Sequence, residues 1–135
     1  MLQPPRITLL FASLHVLLFL LLTAQVVRRR RAAGIGLGSG KDPDLALKVR
    51  VHANFAEYVP LALLMLGLLE TVGSAPALLW GCGAALLLAR VAHAVGLASS
   101  AGYSLGRAVG ATLTWLVMAV MAAAGLWRWS LEALL

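Results

Sequence analysis

Four apolar stretches, roughly Ile7–Val27, Val51–Leu69, Ala75–Ala98 and Ala108–Trp127, constrain this 135-residue chain more than any other feature. Each is near the ~20 residues needed to cross ~30 Å of hydrocarbon at ~1.5 Å per residue. In lipid every backbone N–H and C=O must be satisfied within its own segment, so such spans are expected to be helices. The strict polar–apolar alternation of a membrane barrel strand is absent. Only 12% of residues are charged, against ~25% in a typical soluble domain, and the mean hydropathy is +0.92. The expected fold is an all-α membrane protein, a single domain over 1–135 built as a four-transmembrane-helix bundle. Its helices are placed roughly at 6–28, 43–72, 75–98 and 106–130. The first segment is too long for a signal peptide and runs into four arginines, so it is expected to be retained.

The net charge of +6 is unevenly spread. Arg28, Arg29, Arg30 and Arg31, with Lys41, Lys48 and Arg50, crowd the first loop. Positive loops stay on the cytoplasmic side. Both termini are therefore expected outside, loops 28–50 and 98–107 inside, and the Gly73-Ser74 turn outside. The arginine run most simply sets topology and meets lipid headgroups; holding an anionic ligand is the other role open to one of its members. A short basic cluster at a membrane exit does not point to nucleic acid. The Ala-, Leu- and Arg-rich composition hints at a bacterium with a GC-rich genome, which would make the membrane the inner one.

Cys82 is the sole cysteine, so no intrachain disulfide forms; between Gly81 and Gly83 it is expected to permit close helix packing. No metal-ligand spacing exists, because His52 and His93 lack a third partner. The segment "GIGLGSG" follows no strand and is not a phosphate loop.

Against this background "RVHANFAEYVP", residues 50–60, is unusual, because it carries Arg50, His52, Asn54, Glu57 and Tyr58 into a membrane-spanning segment. Asp42 is the expected N-cap of that helix, with Pro43 at its first position and Asp44 in its first turn. At 100° per residue, Arg50, Asn54, Glu57 and Tyr58 fall at about 0°, 40°, −20° and 80°, one polar stripe, while His52 and Glu70 point nearly the opposite way. The stripe is a candidate site.

The turn at Gly73-Ser74 makes helices 2 and 3 an antiparallel hairpin. Glu57 lies 16 residues before Gly73 and Arg90 lies 16 after Ser74, which puts them level, ~24 Å from the turn. Asn54 is level with His93, which shares a face with Arg90. An ion pair between Glu57 and Arg90 is expected, since a lone charge at that depth costs at least ~2.5–3.5 kcal/mol. Arg90 either locks two helices together or serves a ligand. Pro60 frees the carbonyl of Ala56 and is expected to kink helix 2. His15 is expected to be a polar group satisfied against another helix. Gly106, Gly110 and Ala111 suit close contact of helix 4, and Trp80, Trp127 and Trp129 fit an outer-face aromatic belt.

"RVHANFAEYVPLALLMLGLLE", "ARVAHAVG" and "GRAVG", on four spans with a basic first loop, closely resemble the MAPEG family, the membrane-associated proteins in eicosanoid and glutathione metabolism, and its bacterial branch in particular. The resemblance covers nearly the whole chain, and R-x-x-x-N-x-x-E-Y-x-P is its most specific part. It implies a homotrimer with one glutathione site between each neighbouring pair of subunits. It also implies that Arg50, Asn54, Glu57 and Tyr58 line that site, with His93 touching the tripeptide and Arg30 reaching a carboxylate. Arg107 would stabilise the thiolate, the catalytic role. Arg90 joins the binding set through its expected pairing with Glu57.

The implied co-substrate is glutathione, with no metal, and the implied second substrate is apolar or lipid-like. The activity so implied is a glutathione transferase or peroxidase acting on apolar electrophiles or lipid hydroperoxides. A non-catalytic membrane scaffold that binds a lipid or partner protein is the alternative. A proton-coupled drug exporter fits less well, because helix 1 carries no carboxylate within its span.

Overall fold

The computed structural model describes residues 4–99 and 105–132, with backbone alone at 97–99 and 132. Much of the 98–107 loop therefore lies outside the described residues. Four helices follow in order: α1 (Arg6–Ala33), α2 (Pro43–Thr71), α3 (Pro76–Ser99) and α4 (Leu105–Glu132). Each is long and apolar enough to cross a membrane, and no strand occurs among the described residues.

Local chemistry explains where the helices stop. α1 runs on through Arg28–Arg31, arginine being a good helix former, until Gly34 adopts φ +67°. The Ile35 N–H then returns to the Arg30 carbonyl at 3.1 Å. α2 opens at Asp42, whose carboxylate accepts the Leu45 N–H at 3.0 Å, with Pro43 behind it. That Leu45 N–H and the Arg29 guanidinium hold the Asp42 carboxyl below its usual range. α2 continues unbroken through Pro60 to Thr71. Gly73, at φ +72°, turns the chain, and the N–H groups of Gly73 and Ser74 return to the carbonyls of Glu70 and Leu69.

α2 and α3 form the diagonal of the bundle. α1 packs on both, α4 packs on both, and α1 and α4 do not touch among the described residues. One apolar core lies toward the Gly73 end, built from Phe11, Leu66, Leu69, Leu79, Leu86 and Met121 with their neighbours. A smaller one of Leu22, Val51, Phe55 and Val59 lies toward the basic end. Phe11 packs flat enough on Gly83 that a side chain there would overlap its ring. Cys82 is buried in the same core. Trp80, Trp127 and Trp129 are exposed near the Gly73 end.

The polar residues that are not in the stripe tie α1 to α2. His52, on the far side of α2, stacks on Phe19 with ring centroids 4.6 Å apart and meets Thr23 Oγ1 at 3.1 Å. Because that hydroxyl donates to the Phe19 carbonyl, His52 Nε2 is the donor in this pair. His15 departs from expectation. It is buried beside Phe55, but its Nδ1 donates to the Phe11 carbonyl of its own helix, 2.7 Å away. Its Nε2 is buried without a hydrogen-bond partner.

Glu70 does what no residue of α1 does. Pro5 at the α1 N-cap offers no side-chain bond. The Glu70 carboxylate, 8% exposed, accepts the N–H of Ile7 at 2.8 Å and of Thr8 at 2.7 Å, capping α1 from across the bundle. Replacing Glu70 by Ala is expected to cost about 2 kcal/mol. Gln, which keeps one acceptor oxygen, should recover part of it. Thermal unfolding in detergent micelles, followed by circular dichroism, measures both.

Candidate functional site

The stripe on α2 meets α3 through an arginine and an amide. Arg90, 1% exposed, donates from Nη2 to Asn54 Oδ1 at 2.8 Å, and its guanidinium lies 5.7 Å from the centre of the Phe55 ring. Arg50 and Glu57, two turns apart on α2, face each other at 3.4 Å with both side chains at least half exposed. The expected Glu57–Arg90 ion pair is therefore corrected: among the described residues Glu57 pairs with Arg50, and Arg90 with Asn54. Counting from the turn puts Cα atoms level, but an arginine side chain reaches a further helical turn of ~5.4 Å. Arg90 spends that reach on the buried amide rather than on a carboxylate at the surface.

Asn54 and Arg50 then face α4 across a cavity of about 320 Å³, lined by Arg50, Asn54, His93, Arg107, Ala108 and Ala111. His93 is 3% exposed, one turn past Arg90 on α3. Arg107 comes from the first turn of α4. Its position follows from three glycines at the α3–α4 crossing. A Cβ on Gly96 would lie 2.5 Å from the Arg107 nitrogen, and one on Gly106 3.1 Å from the Ala92 oxygen. At Gly110 a Cβ would lie 2.5 Å from the Ala89 oxygen and 2.6 Å from the His93 nitrogen. Backbones touch there because no side chains intervene. Arg107 is thereby set beside His93.

Of the residues singled out in the sequence, Arg50, Asn54, His93 and Arg107 line the cavity, and Arg90 stands behind it as the donor to Asn54. Glu57 borders it through Arg50. Tyr58 is half-buried on the same helix and is not among the lining residues. Arg30 stands apart in this chain, where its Nη1 donates to the Gly38 carbonyl at 2.7 Å and ties down the loop after α1. Ala108 and Ala111 were not anticipated as lining residues. Their small size, in register with Gly106 and Gly110, was the available signal.

Electrostatically the cavity is positive. Two guanidinium groups line it, a third lies behind Asn54, and Glu57 is half exposed beside it. Arg90 Nε and His93 Nδ1 are buried without a hydrogen-bond partner. Such a set suits an anionic ligand with several polar groups. Among the described residues, no three His, Cys, Asp or Glu side chains cluster as metal ligands would.

Residues 8–127 match the MAPEG family. The chain belongs to that family. It is also 30% identical over 121 residues to Inner membrane protein YecN of Escherichia coli strain K12, covering 90% of this chain and 91% of that protein. The protein of the same name from Escherichia coli O6:H1 matches to the same extent. With four spanning helices, this MAPEG protein is a multi-pass integral membrane protein.

Two consequences are measurable by thermal unfolding in micelles. Asn54→Leu should cost about 3–5 kcal/mol, because it strips a buried guanidinium of its acceptor, and adding Arg90→Met should return most of that loss. Gly110→Ala should cost about 1–3 kcal/mol through overlap with the α3 backbone. Gly125→Ala should be nearly neutral, because its new methyl meets only the flexible tip of Met65 at 3.2 Å.

Proposed function

We propose that this MAPEG protein binds glutathione in the cavity between α2, α3 and α4 and transfers or oxidises its thiol. The observation that carries the reading is the convergence of Arg50, Asn54, His93 and Arg107 on one cavity. Glutathione has two carboxylates, an ammonium, two amides and a thiol. Arg50 offers a guanidinium fork to a carboxylate, Asn54 an amide partner, and Glu57 a carboxylate for the ammonium. Tyr58 and His93 supply further polar contacts, and Arg90 fixes the rotamer of Asn54.

Arg107 has the chemical role. A thiol of pKa ~8.5 is only about 3% ionised at pH 7, and lowering the value by ~2 units takes ~2.7 kcal/mol of selective stabilisation of the anion. A guanidinium beside the sulfur in a partly dry cavity is suited to supply it. In conjugation the thiolate sulfur bonds to an electrophilic carbon, and the leaving group departs with its electron pair. In the peroxidase reaction two glutathiones reduce a hydroperoxide to an alcohol and water and leave as the disulfide. The second substrate is apolar or lipid-like and enters from the bilayer.

The reading includes a homotrimer. Arg50 and Glu57 are at least half exposed on a membrane-spanning helix, where hydrocarbon would be a costly neighbour. A second copy packed against α2 would cover them and bring its own Arg30 toward the cavity. The basic end faces the cytoplasm of a bacterial inner membrane, with both termini outside.

Titrating glutathione into the purified protein tests the reading. Thiolate absorbance should grow near 240 nm, and at pH 7 Arg107→Ala should cut both it and conjugation of a test electrophile roughly 25-fold while glutathione still binds. Binding without thiolate would instead favour a non-catalytic scaffold.

A further inference from the structure

A second feature lies on the opposite side of α3 from the cavity. Val91, Ala94 and Val95 of α3 form one wall of a groove, and Leu18, Leu21 and Leu22 of α1 form the other, over Leu47 and Val51 of α2. Its volume is about 190 Å³ and its mouth is Gln25, Asp44 and Lys48. There it meets a shallow basic shelf of about 270 Å³ lined by Gln25, Arg28, Arg29, Ala32 and Lys48. Gln25 and Lys48 belong to both. Along α1 the two are a single stripe at helical spacing, apolar at Leu18, Leu21 and Leu22, neutral at Gln25 and cationic at Arg28 and Arg29.

The charges on the shelf are arranged rather than scattered. Arg29 Nε lies 2.9 Å from Asp42 and 3.1 Å from Asp44, and Lys48 also pairs with Asp44. Those carboxylates steady the two cations. Arg28 forms no ion pair among the described residues and leaves the shelf with an excess of positive charge. From Arg29 to Leu18 the stripe spans eleven helical rises, ~16 Å at 1.5 Å per residue, from the basic shelf to the end of the groove. The groove itself, from Gln25 to Leu18, is ~10 Å deep and takes the headgroup-proximal part of an acyl chain.

We propose that this groove is a specific site for an anionic phospholipid of the leaflet at the basic end, with its phosphate on Arg28, Arg29 and Lys48 and an acyl chain between α1 and α3. Charge complementarity selects the headgroup, and the apolar depth selects the chain. Because Val91 and Val95 point away from His93 on α3, lipid in the groove does not compete for the cavity.

The test is native mass spectrometry of the intact protein, stripped of lipid in detergent and offered phosphatidylglycerol and phosphatidylcholine with identical chains. The wild type should retain phosphatidylglycerol preferentially. Arg28→Gln, an exposed change with no packing cost, should lower that preference roughly five-fold, the ~1 kcal/mol expected of one cation at an anionic surface. Val95→Trp, which fills the groove, should reduce retention of both lipids, whereas Leu17→Trp on another face of α1 should not. Equal retention of the two lipids by the wild type, or an unchanged preference in Arg28→Gln, overturns the proposal. So does a Val95→Trp protein that keeps its lipid but changes oligomeric mass, since the groove would then be a contact between copies.

Discussion

A fully buried guanidinium at hydrocarbon depth is the demand around which this bundle is organised. Arg90 is 1% exposed on a helix long and apolar enough to span a membrane. A charge so placed costs several kcal/mol unless polar groups surround it. Asn54 provides a neutral oxygen at 2.8 Å and Phe55 provides the face of a ring. Both come from α2, so meeting the demand fixes the rotation of α2 against α3. Once that rotation is set, Arg50 and Asn54 turn toward α4, and Val51 and Val59 turn into the smaller core.

The helix ends show the same rule at work in the backbone. The first N–H groups of α1 have no capping side chain beside them in sequence, and Glu70 reaches them from the last turn of α2. Asp42 does the equivalent for α2 locally, while Arg29 binds the same carboxylate from α1. α1 is thus pinned to α2 near both of its ends by acidic residues, with the Thr23–His52 contact between them. A helix with as little buried surface as α1 needs such polar clamps, because lipid solvates its leucines as well as protein does.

How much of this could be read from the sequence depends on the range of the interaction. Span number, the Asp42-Pro43 helix start and the polar stripe are local or periodic features, and each appears as such in the structure. The partner of Arg90 was legible only to within a helical turn: level counting ranks Cα depths, and the choice between Asn54 and Glu57 rests on side-chain reach and on which of them is buried. Glu70 could be seen to face away from the stripe. Nothing in its neighbourhood named Ile7 and Thr8, which lie 63 and 62 positions away. His15 was expected to look outward for a partner and took the carbonyl four residues back instead. The cavity floor at Ala108 and Ala111 was hidden for a different reason, since small residues signal closeness without showing what the space beside them will hold.

The chain's cations divide by how they are satisfied, and that division separates structure from function. Arg29 and Lys48 are matched by Asp42 and Asp44, and Arg90 by Asn54. These contacts close the fold, although Arg29 and Lys48 also line the shelf beside Arg28. Among the described residues Arg107 lines a cavity with no carboxylate on its walls, and Arg50 has a 3.4 Å contact to a half-exposed Glu57. A cation kept at the edge of hydrocarbon without a firm internal partner is stabilised best by an anion arriving from outside the chain. Such cations stand in two places, Arg50 and Arg107 in the cavity and Arg28 on the shelf between α1 and α2. Asn54 and His93 join the arginines on the walls of the first, and the second continues into an aliphatic groove. The two places differ in their walls rather than in the sign of their charge.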